Sequence, residues 1–177
     1  MKIAKQLLLV ELDYTIWANR VLLDLCAALT GDELSCNLGA SHSSLIRTLR
    51  HIYDAERSWT HNLISNSIPS LAEIEAAGAS DQSRPDPTFE SLQQPWLRVW
   101  EEAREWIAPL SEDDLARELS FRQRDGTDIQ LPRWQIFLHM VNHSTLHRGQ
   151  ILTMLRALGK QPPNVDLLTY YRLARQS

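Results

Sequence analysis

Three histidines near the end of the chain are spaced at a helical interval. His139, His143 and His147 follow one another four residues apart in HMVNHSTLH. Four residues advance an α-helix by about 400° and about 6 Å, so neighbouring imidazoles lie on nearly the same side of it. Two such imidazoles can bind one divalent transition-metal ion, whereas the outer two, about 12 Å apart, cannot share one. The spacing therefore indicates one metal-binding pair, either the first two histidines or the last two.

The direction of the apolar stripe selects between these pairs. That stripe consists of Ile136, Met140, Ile151, Met154 and Leu158. At about 100° per residue, His147 nearly shares its mean direction, His143 lies about 45° away and His139 about 90° away. A buried ring nitrogen without a partner costs about 1–3 kcal/mol, and a shared metal ion removes that cost. His143 and His147 are thus predicted to be two metal ligands.

A third ligand is expected from another helix, because a single pair on one helix would hold an ion weakly. His51 is the best candidate, since it lies inside a predicted helix and its neighbours Thr48 and Ala55 are small enough to leave room beside the ring. Asp54 or Glu56 in the same segment is an alternative, and a carboxylate as fourth ligand stays open. The predicted metal ligands are therefore His51, His143 and His147.

The other histidines do not join this prediction. His42 lies at a helix end and His61 lies between Thr60 and Asn62, so both are expected to be solvated. The His143 pair also lacks the following glutamate that zinc proteases use as a base, so that reaction is not indicated.

Several other side chains have both a structural and a functional interpretation. Arg148 is a candidate clamp for an anionic substrate, but a structural contact is the stronger expectation. Gln150 and Asn142 are candidates to orient the imidazoles from behind. Three aromatic residues are expected in the core more than at a pocket mouth, because they recur at helical spacing: Tyr14, Trp17 and Trp59.

Four long amphipathic segments are predicted to position these histidines. The first runs from residue 3 to residue 29 and carries an apolar stripe of Val10, Tyr14, Trp17, Val21, Leu25 and Ala28. The second follows a serine cap at Ser41 or Ser43 and ends near residue 65. Residues 66–87 form a long connection with a short helical turn around residues 71–77. A connection of that length can run along a bundle and permits parallel neighbours.

The second half of the chain supplies the other two long helices. The third is predicted to begin near Gln93, with Pro95 in its first turn, although a start near Phe89 with a kink is the alternative. A β-hairpin is expected around Asp125 and Gly126. The fourth helix is predicted for residues 132–158 and a short one for residues 166–174. These elements predict an all-α four-helix bundle with a small β-hairpin before helix 4.

Composition limits the classes of function. The chain has 177 residues and a net charge of -4, so one domain spanning residues 1–177 is expected and a nucleic-acid partner is not. The apolar run near the N-terminus is too short for a signal peptide or a membrane span, which predicts a cytoplasmic protein with no membrane partner. Cys26 and Cys36 show no redox or metal spacing and are expected to be ordinary thiols.

Three segments of the chain resemble the DinB family of metal-binding four-helix bundles: TIWANRVLL, LRHIYDAERSW and HMVNHSTLHRGQILTMLRALGKQPPNVDLLTYY. The resemblance implies a three-histidine site on His51, His143 and His147 that binds nickel or zinc, with iron or manganese as further options. It also implies an up-down-down-up bundle, with the long connection between helices 2 and 3, and a homodimer.

The resemblance implies a function less directly, because the family includes thiol-dependent transferases and isomerases beside members without a known reaction. Three protein nitrogens leave a coordination position open, as catalytic sites do. We therefore expect a metal-dependent enzyme that activates a low-molecular-weight thiol for S-transfer to an electrophilic small molecule. The alternatives are a hydrolase that uses metal-bound water and a non-catalytic, stress-related metal-binding bundle.

Overall fold

The chain is built from helices and one small hairpin. A computed structural model describes residues 5–69, 85–122 and 126–176. The helices in these ranges are α1 (Lys5–Ala27), α2 (Gly31–Ser35), α3 (Leu45–Ser65), α4 (Phe89–Ile107), α5 (Glu112–Ala116), α6 (Arg133–Ala157) and α7 (Leu167–Ala174). Strands β1 (Glu118–Arg122) and β2 (Asp128–Pro132) form an antiparallel pair. The predicted helical fold with a hairpin before the last long helix is confirmed, whereas the turn predicted at residues 71–77 lies outside the described residues.

Helix α1 buries a different face from the one predicted. Its innermost stripe includes Leu8, Leu12, Leu23 and Cys26, and also the polar Thr15 and Asn19. Of the predicted stripe, Tyr14 is buried, and it packs with Trp17 and Val21 against Val165 in the C-terminal segment. Both faces of the helix are therefore covered, and the one directed at the main core is the more polar one.

Helix α3, which carries His51, has well-defined ends. The Ser44 side chain caps its N-terminus by accepting a hydrogen bond from the Arg47 backbone, so the predicted cap at Ser41 or Ser43 is wrong by one residue or more. The helix ends at Asn66, which adopts the left-handed conformation with φ of 56°. Asparagine tolerates this conformation better than most residues, which explains why the helix stops there.

Helix α4 begins earlier than predicted. Thr88 caps its N-terminus by accepting from the Ser91 backbone, so the helix starts at Phe89. Pro95 consequently lies inside the helix and not in its first turn. The preferred start near Gln93 is wrong, because the threonine cap and the burial of Phe89 and Leu92 together offset the cost of the proline.

The hairpin and helix α6 follow each other directly. Glu118 pairs with Pro132 and Arg122 pairs with Asp128, so five residues connect the strands in place of a two-residue turn at Asp125 and Gly126. Asp125 itself lies outside the described residues, while Gly126 has φ of +87°. Helix α6 starts after Pro132, as predicted.

The four long helices enclose the main apolar core. Helix α1 packs against α4 and α6, and α3 packs against the same two helices. This cyclic arrangement brings α3 and α6, the two helices with the predicted ligands, into direct contact. The relative directions of the helices in an up-down-down-up bundle stay a prediction. Within the described ranges, no helix is both long and apolar enough to cross a membrane.

Candidate metal centre

The predicted ligand histidines meet where α3 packs on α6. The Nε2 atoms of His51 and His143 lie 3.1 Å apart. The ring centroid of His147 is 4.5 Å from that of His51 and 4.4 Å from that of His143. Two nitrogens bound to one ion at about 2.0–2.1 Å in tetrahedral geometry lie roughly 3.3 Å apart. The separation of the His51 and His143 nitrogens therefore suits ligation of one ion.

The hydrogen bond of His147 determines which of its nitrogens is available to a metal. Its Nδ1 lies 2.8 Å from Oε1 of Gln150, one turn further along α6. An amide oxygen can only accept, so Nδ1 carries the proton and Nε2 keeps its lone pair. A partner of this kind orients a ligand histidine and fixes its tautomer. Of the two candidates for orienting an imidazole, Gln150 is thus the one that contacts a histidine ring, whereas Asn142 is exposed to solvent.

The surroundings of His143 strongly affect its protonation. Burial, followed by the neighbouring imidazoles of His147 and His51, lowers the pKa of His143 to about 4. The ring is consequently neutral at pH 7, the state in which imidazole binds metals. Its buried Nδ1 has no hydrogen-bond partner among the residues that the structure describes.

His42 joins this cluster, contrary to the sequence prediction. It is half-buried, and its ring stacks on that of His51 with centroids 3.8 Å apart. Its centroid lies 5.3 Å from that of His147. The prediction that His42 is solvated is wrong because the chain turns back before α3. Ser43 adopts a left-handed conformation with φ of 60°, and its N–H donates to the Ala40 carbonyl.

The structure contains a group of histidines that can hold a metal ion. One nitrogen each of His42, His51 and His147 lie within 4.8 Å of one another. This group contains His42 where the predicted trio contains His143. His143 lies beside the group, with its Nε2 atom 3.1 Å from that of His51. Imidazole nitrogens suit zinc, nickel, copper and iron more than magnesium or calcium. The residues present therefore fit a divalent transition metal.

The remaining two histidines stand apart from the cluster's centre. His61 is exposed, as predicted. His139 is also exposed, and its ring contacts Trp59 with centroids 5.2 Å apart. Trp59 further contacts Phe121 of the hairpin, so its contacts are those of a packing residue.

Glu56, one alternative ligand, is fully engaged elsewhere in the core. The side chain is 2% exposed. Its Oε1 accepts hydrogen bonds from Asn19 and Ser144, and its Oε2 accepts from the indoles of Trp96 and Trp100. The carboxylate thus links α1, α3, α4 and α6 and is not aimed at the imidazoles. Sequence reasoning missed this network, although a polar Asn19 within an otherwise apolar stripe was a signal of it.

Arg148 belongs to the same buried network. The residue is 2% exposed, and its guanidinium donates to Asn19 Oδ1 and Thr145 Oγ1. It also lies over the Tyr14 ring, 5.0 Å from the centroid. A guanidinium buried in this way supports the structural expectation for Arg148 over the clamp for an anionic substrate.

A pocket lies between α6 and the segment that precedes α3. Its volume is about 370 Å³, and its walls include Leu38, Ala40, Leu146, Met154 and Gln150. The lining is apolar apart from a few polar groups, and Gln150 is the side chain that connects it to His147. The volume lies within the roughly 300–1,000 Å³ typical of small-molecule sites.

Comparison with known proteins gives consistent results. The family model described as "DinB family" matches residues 4–177. The curated Protein DinB of Bacillus subtilis (strain 168) is 24% identical over 159 residues, which cover 89% of this chain and 90% of that protein.

Solved structures share the fold. A DinB-like protein from Bacillus subtilis superimposes with a TM-score of 0.61 at 14% identity, covering 88% of this chain and 97% of the other. A second, from Bacillus cereus ATCC 10987, gives a TM-score of 0.62 at 18% identity, covering 88% and 95%. Because the family model spans nearly the whole sequence, the chain belongs to the DinB family.

Proposed function

We propose that this chain binds a divalent transition metal, nickel or zinc in first place, through His51, His143 and His147. We further propose that it activates a thiol for transfer to an electrophilic small molecule. The observation that carries the proposal is the convergence of imidazoles from two packed helices, with Nε2 atoms of His51 and His143 3.1 Å apart. Without a metal, these two Nε2 atoms could share only a single hydrogen bond, whereas an ion between them would use the lone pairs of both.

The side chains around the cluster have separable roles in this proposal. Gln150 keeps the proton on His147 Nδ1, so Nε2 faces the ion in the correct tautomer. Burial keeps His143 neutral at physiological pH, because it lowers the pKa of that ring to about 4. A bound divalent ion with an open position supplies one chemical effect, which is to lower the pKa of a thiol or water that binds it.

The pocket beside Gln150 supports a small-molecule substrate. Its apolar walls suit the carbon skeleton of an electrophile, and its lining residue Gln150 hydrogen-bonds the ring of His147. In the proposed reaction the sulfur of an incoming thiol forms a bond to the electrophilic carbon. The bond from that carbon to its leaving group breaks, and the thiol proton is released.

The thiol in this proposal is a second substrate and not the core cysteine, Cys26. Cys26 is completely buried in the main core, and burial raises its pKa to about 12, so it does not supply a thiolate. A low-molecular-weight thiol that enters from solvent meets the requirement.

The test combines metal content with turnover. Purified wild-type protein should contain about one ion per chain, and His51→Ala, His143→Ala and His147→Ala should each lose most of it while keeping the helical circular dichroism spectrum. His139→Ala is the matched control on the same helix and should retain the ion, because that ring is exposed. Undiminished metal in any of the three ligand variants would remove that residue from the site.

Turnover distinguishes the reactions that the site supports. Loss of an electrophilic model substrate should require both the metal and an added thiol. Turnover without thiol would show hydrolysis in place of S-transfer. Full metal loading without any turnover in thiol and hydrolytic assays would show that the protein binds metal but does not catalyse either reaction.

A further inference from the structure

The segment before α3 connects the pocket to the histidine cluster. Leu38, Gly39 and Ala40 line the pocket, and His42 follows two residues later. The Leu38 N–H donates to the Ser43 carbonyl over 2.8 Å, and the Ser43 N–H donates to the Ala40 carbonyl over 2.8 Å. Residues 38–43 therefore form a closed turn that holds the His42 backbone in place.

The same turn also hydrogen-bonds Gln150, the residue that orients His147. The hydroxyl of Ser41 donates to Gln150 Oε1 over 3.2 Å, and this oxygen also accepts from His147 Nδ1. Ser43 carries a left-handed φ of 60°, which disfavours a non-glycine residue by about 1 kcal/mol or more. A strained turn that places an imidazole against a cluster of imidazoles is the kind of feature found at binding sites.

We infer that His42 is a fourth nitrogen ligand to the metal ion of this site. The inference rests on the proposed function, since it adds a ligand to the ion assigned there to His51, His143 and His147. A nitrogen of His42 already lies within 4.8 Å of nitrogens of His51 and His147, whereas ligands in a tetrahedral zinc site lie roughly 3.3 Å apart. A tilt of the His42 ring that moves its nitrogen by about 1–2 Å brings it within range of the ion.

His42 differs from the other three ligands in the type of structural element on which it lies. His51, His143 and His147 lie on long packed helices, while His42 lies in a turn that also forms a wall of the pocket. With all four bound, a tetrahedral ion has no open position. A substrate ligand therefore reaches the metal by displacing His42 or by expanding the coordination shell.

The experiment measures zinc affinity by chelator competition, together with the visible spectrum of the cobalt-substituted protein. His42→Ala is compared with wild type, with His147→Ala and with the exposed control His139→Ala. We expect His42→Ala to weaken zinc binding at least about tenfold and to change the cobalt absorption, because a solvent ligand replaces a nitrogen. His139→Ala should match wild type in both measurements.

A second variant gives a positive signal. His42→Cys should add a near-ultraviolet sulfur-to-cobalt charge-transfer band that wild type and His139→Cys lack, because a thiolate at position 42 can enter the coordination shell. If His147→Ala weakens binding but both His42 variants match wild type in affinity and spectrum, His42 is not a ligand and the proposed function stands. If wild type binds no metal, or His147→Ala binds as tightly as wild type, the proposed function itself is wrong.

Discussion

Replacing Glu56 by glutamine tests whether one buried carboxylate holds the four long helices together. Oε1 accepts from Asn19 at 2.8 Å and Ser144 at 2.6 Å, and Oε2 accepts from Trp96 at 2.6 Å and Trp100 at 2.9 Å. A glutamine amide keeps one acceptor oxygen and turns N–H groups toward the other two donors. Two hydrogen bonds to a charged acceptor are lost, at about 1.5–3 kcal/mol each. We expect Glu56→Gln to lower the free energy of unfolding by about 3–6 kcal/mol.

Such a loss is large for a protein of this size, because total stabilities are typically about 5–15 kcal/mol. Urea unfolding followed by far-ultraviolet circular dichroism measures it directly, with the m-value as a check that the unfolded surface is unchanged. Glu101→Gln is the matched control, since that side chain lies exposed on the same helix as the two tryptophans. The control should leave the midpoint within experimental error of wild type.

The two tryptophans provide a second readout of the same variant. Loss of the indole hydrogen bonds should change the emission of Trp96 and Trp100 even in the folded protein. A Glu56→Gln protein that unfolds within 0.5 kcal/mol, on the order of measurement error, of wild type would refute the reasoning. It would mean that the donors find other partners and that the carboxylate is not the link between the helices.

Three further predictions concern the metal site and the packing around it. Gln150→Leu removes the acceptor for His147 Nδ1 and should weaken metal binding about 10- to 100-fold without unfolding the protein, as chelator competition would show. Because burial raises the pKa of Cys26 to about 12, a disulfide reagent at pH 8 should label only Cys36 in the native protein and both thiols after denaturation. Native labelling of two thiols would contradict this. Tyr14→Phe removes a buried 3.0 Å hydrogen bond to a carbonyl near the C-terminal helix and should lower Tm by roughly 2–4 °C in a thermal scan, the equivalent of about 1 kcal/mol.

The sequence predicts the long helices well where the face toward the core is uniformly apolar. Helix α6 shows this, because Ile136, Met140, Ile151 and Met154 are all buried, and His147, which shares their direction, is 7% exposed. Helix α1 shows the opposite. Its core face carries Thr15 and Asn19, so a purely apolar criterion favours the neighbouring face, which covers the C-terminal segment.

The error on α1 and the missing Glu56 network have the same physical origin. Asn19 is buried because its amide donates to Glu56 while its oxygen accepts from Arg148. Each of these three polar residues looks unsuitable for a core when it is considered alone. Only their combination removes the cost of burial, and the combination joins residues from three separate helices.

His42 was missed for a different reason. The helical wheel relates residues only within one helix, and His42 lies before the start of α3 in a turn. Its approach to the cluster depends on the left-handed Ser43 and on the hydrogen bond from Ser41 to Gln150, 109 positions further along the chain. Neither feature leaves a periodic pattern in the sequence.

The separation of His51 and His143 along the chain has a consequence for the folding equilibrium. The two imidazoles are 92 positions apart, and they lie 3.1 Å from each other only after α3 has packed against α6. An unfolded chain does not present them together, so an ion held there binds the native state far more tightly than the unfolded one. By linkage, free metal at 100 times its Kd adds about 2.7 kcal/mol to the stability of the fold. Under the proposed function, an ion at that concentration raises the ratio of native to unfolded chains about a hundredfold.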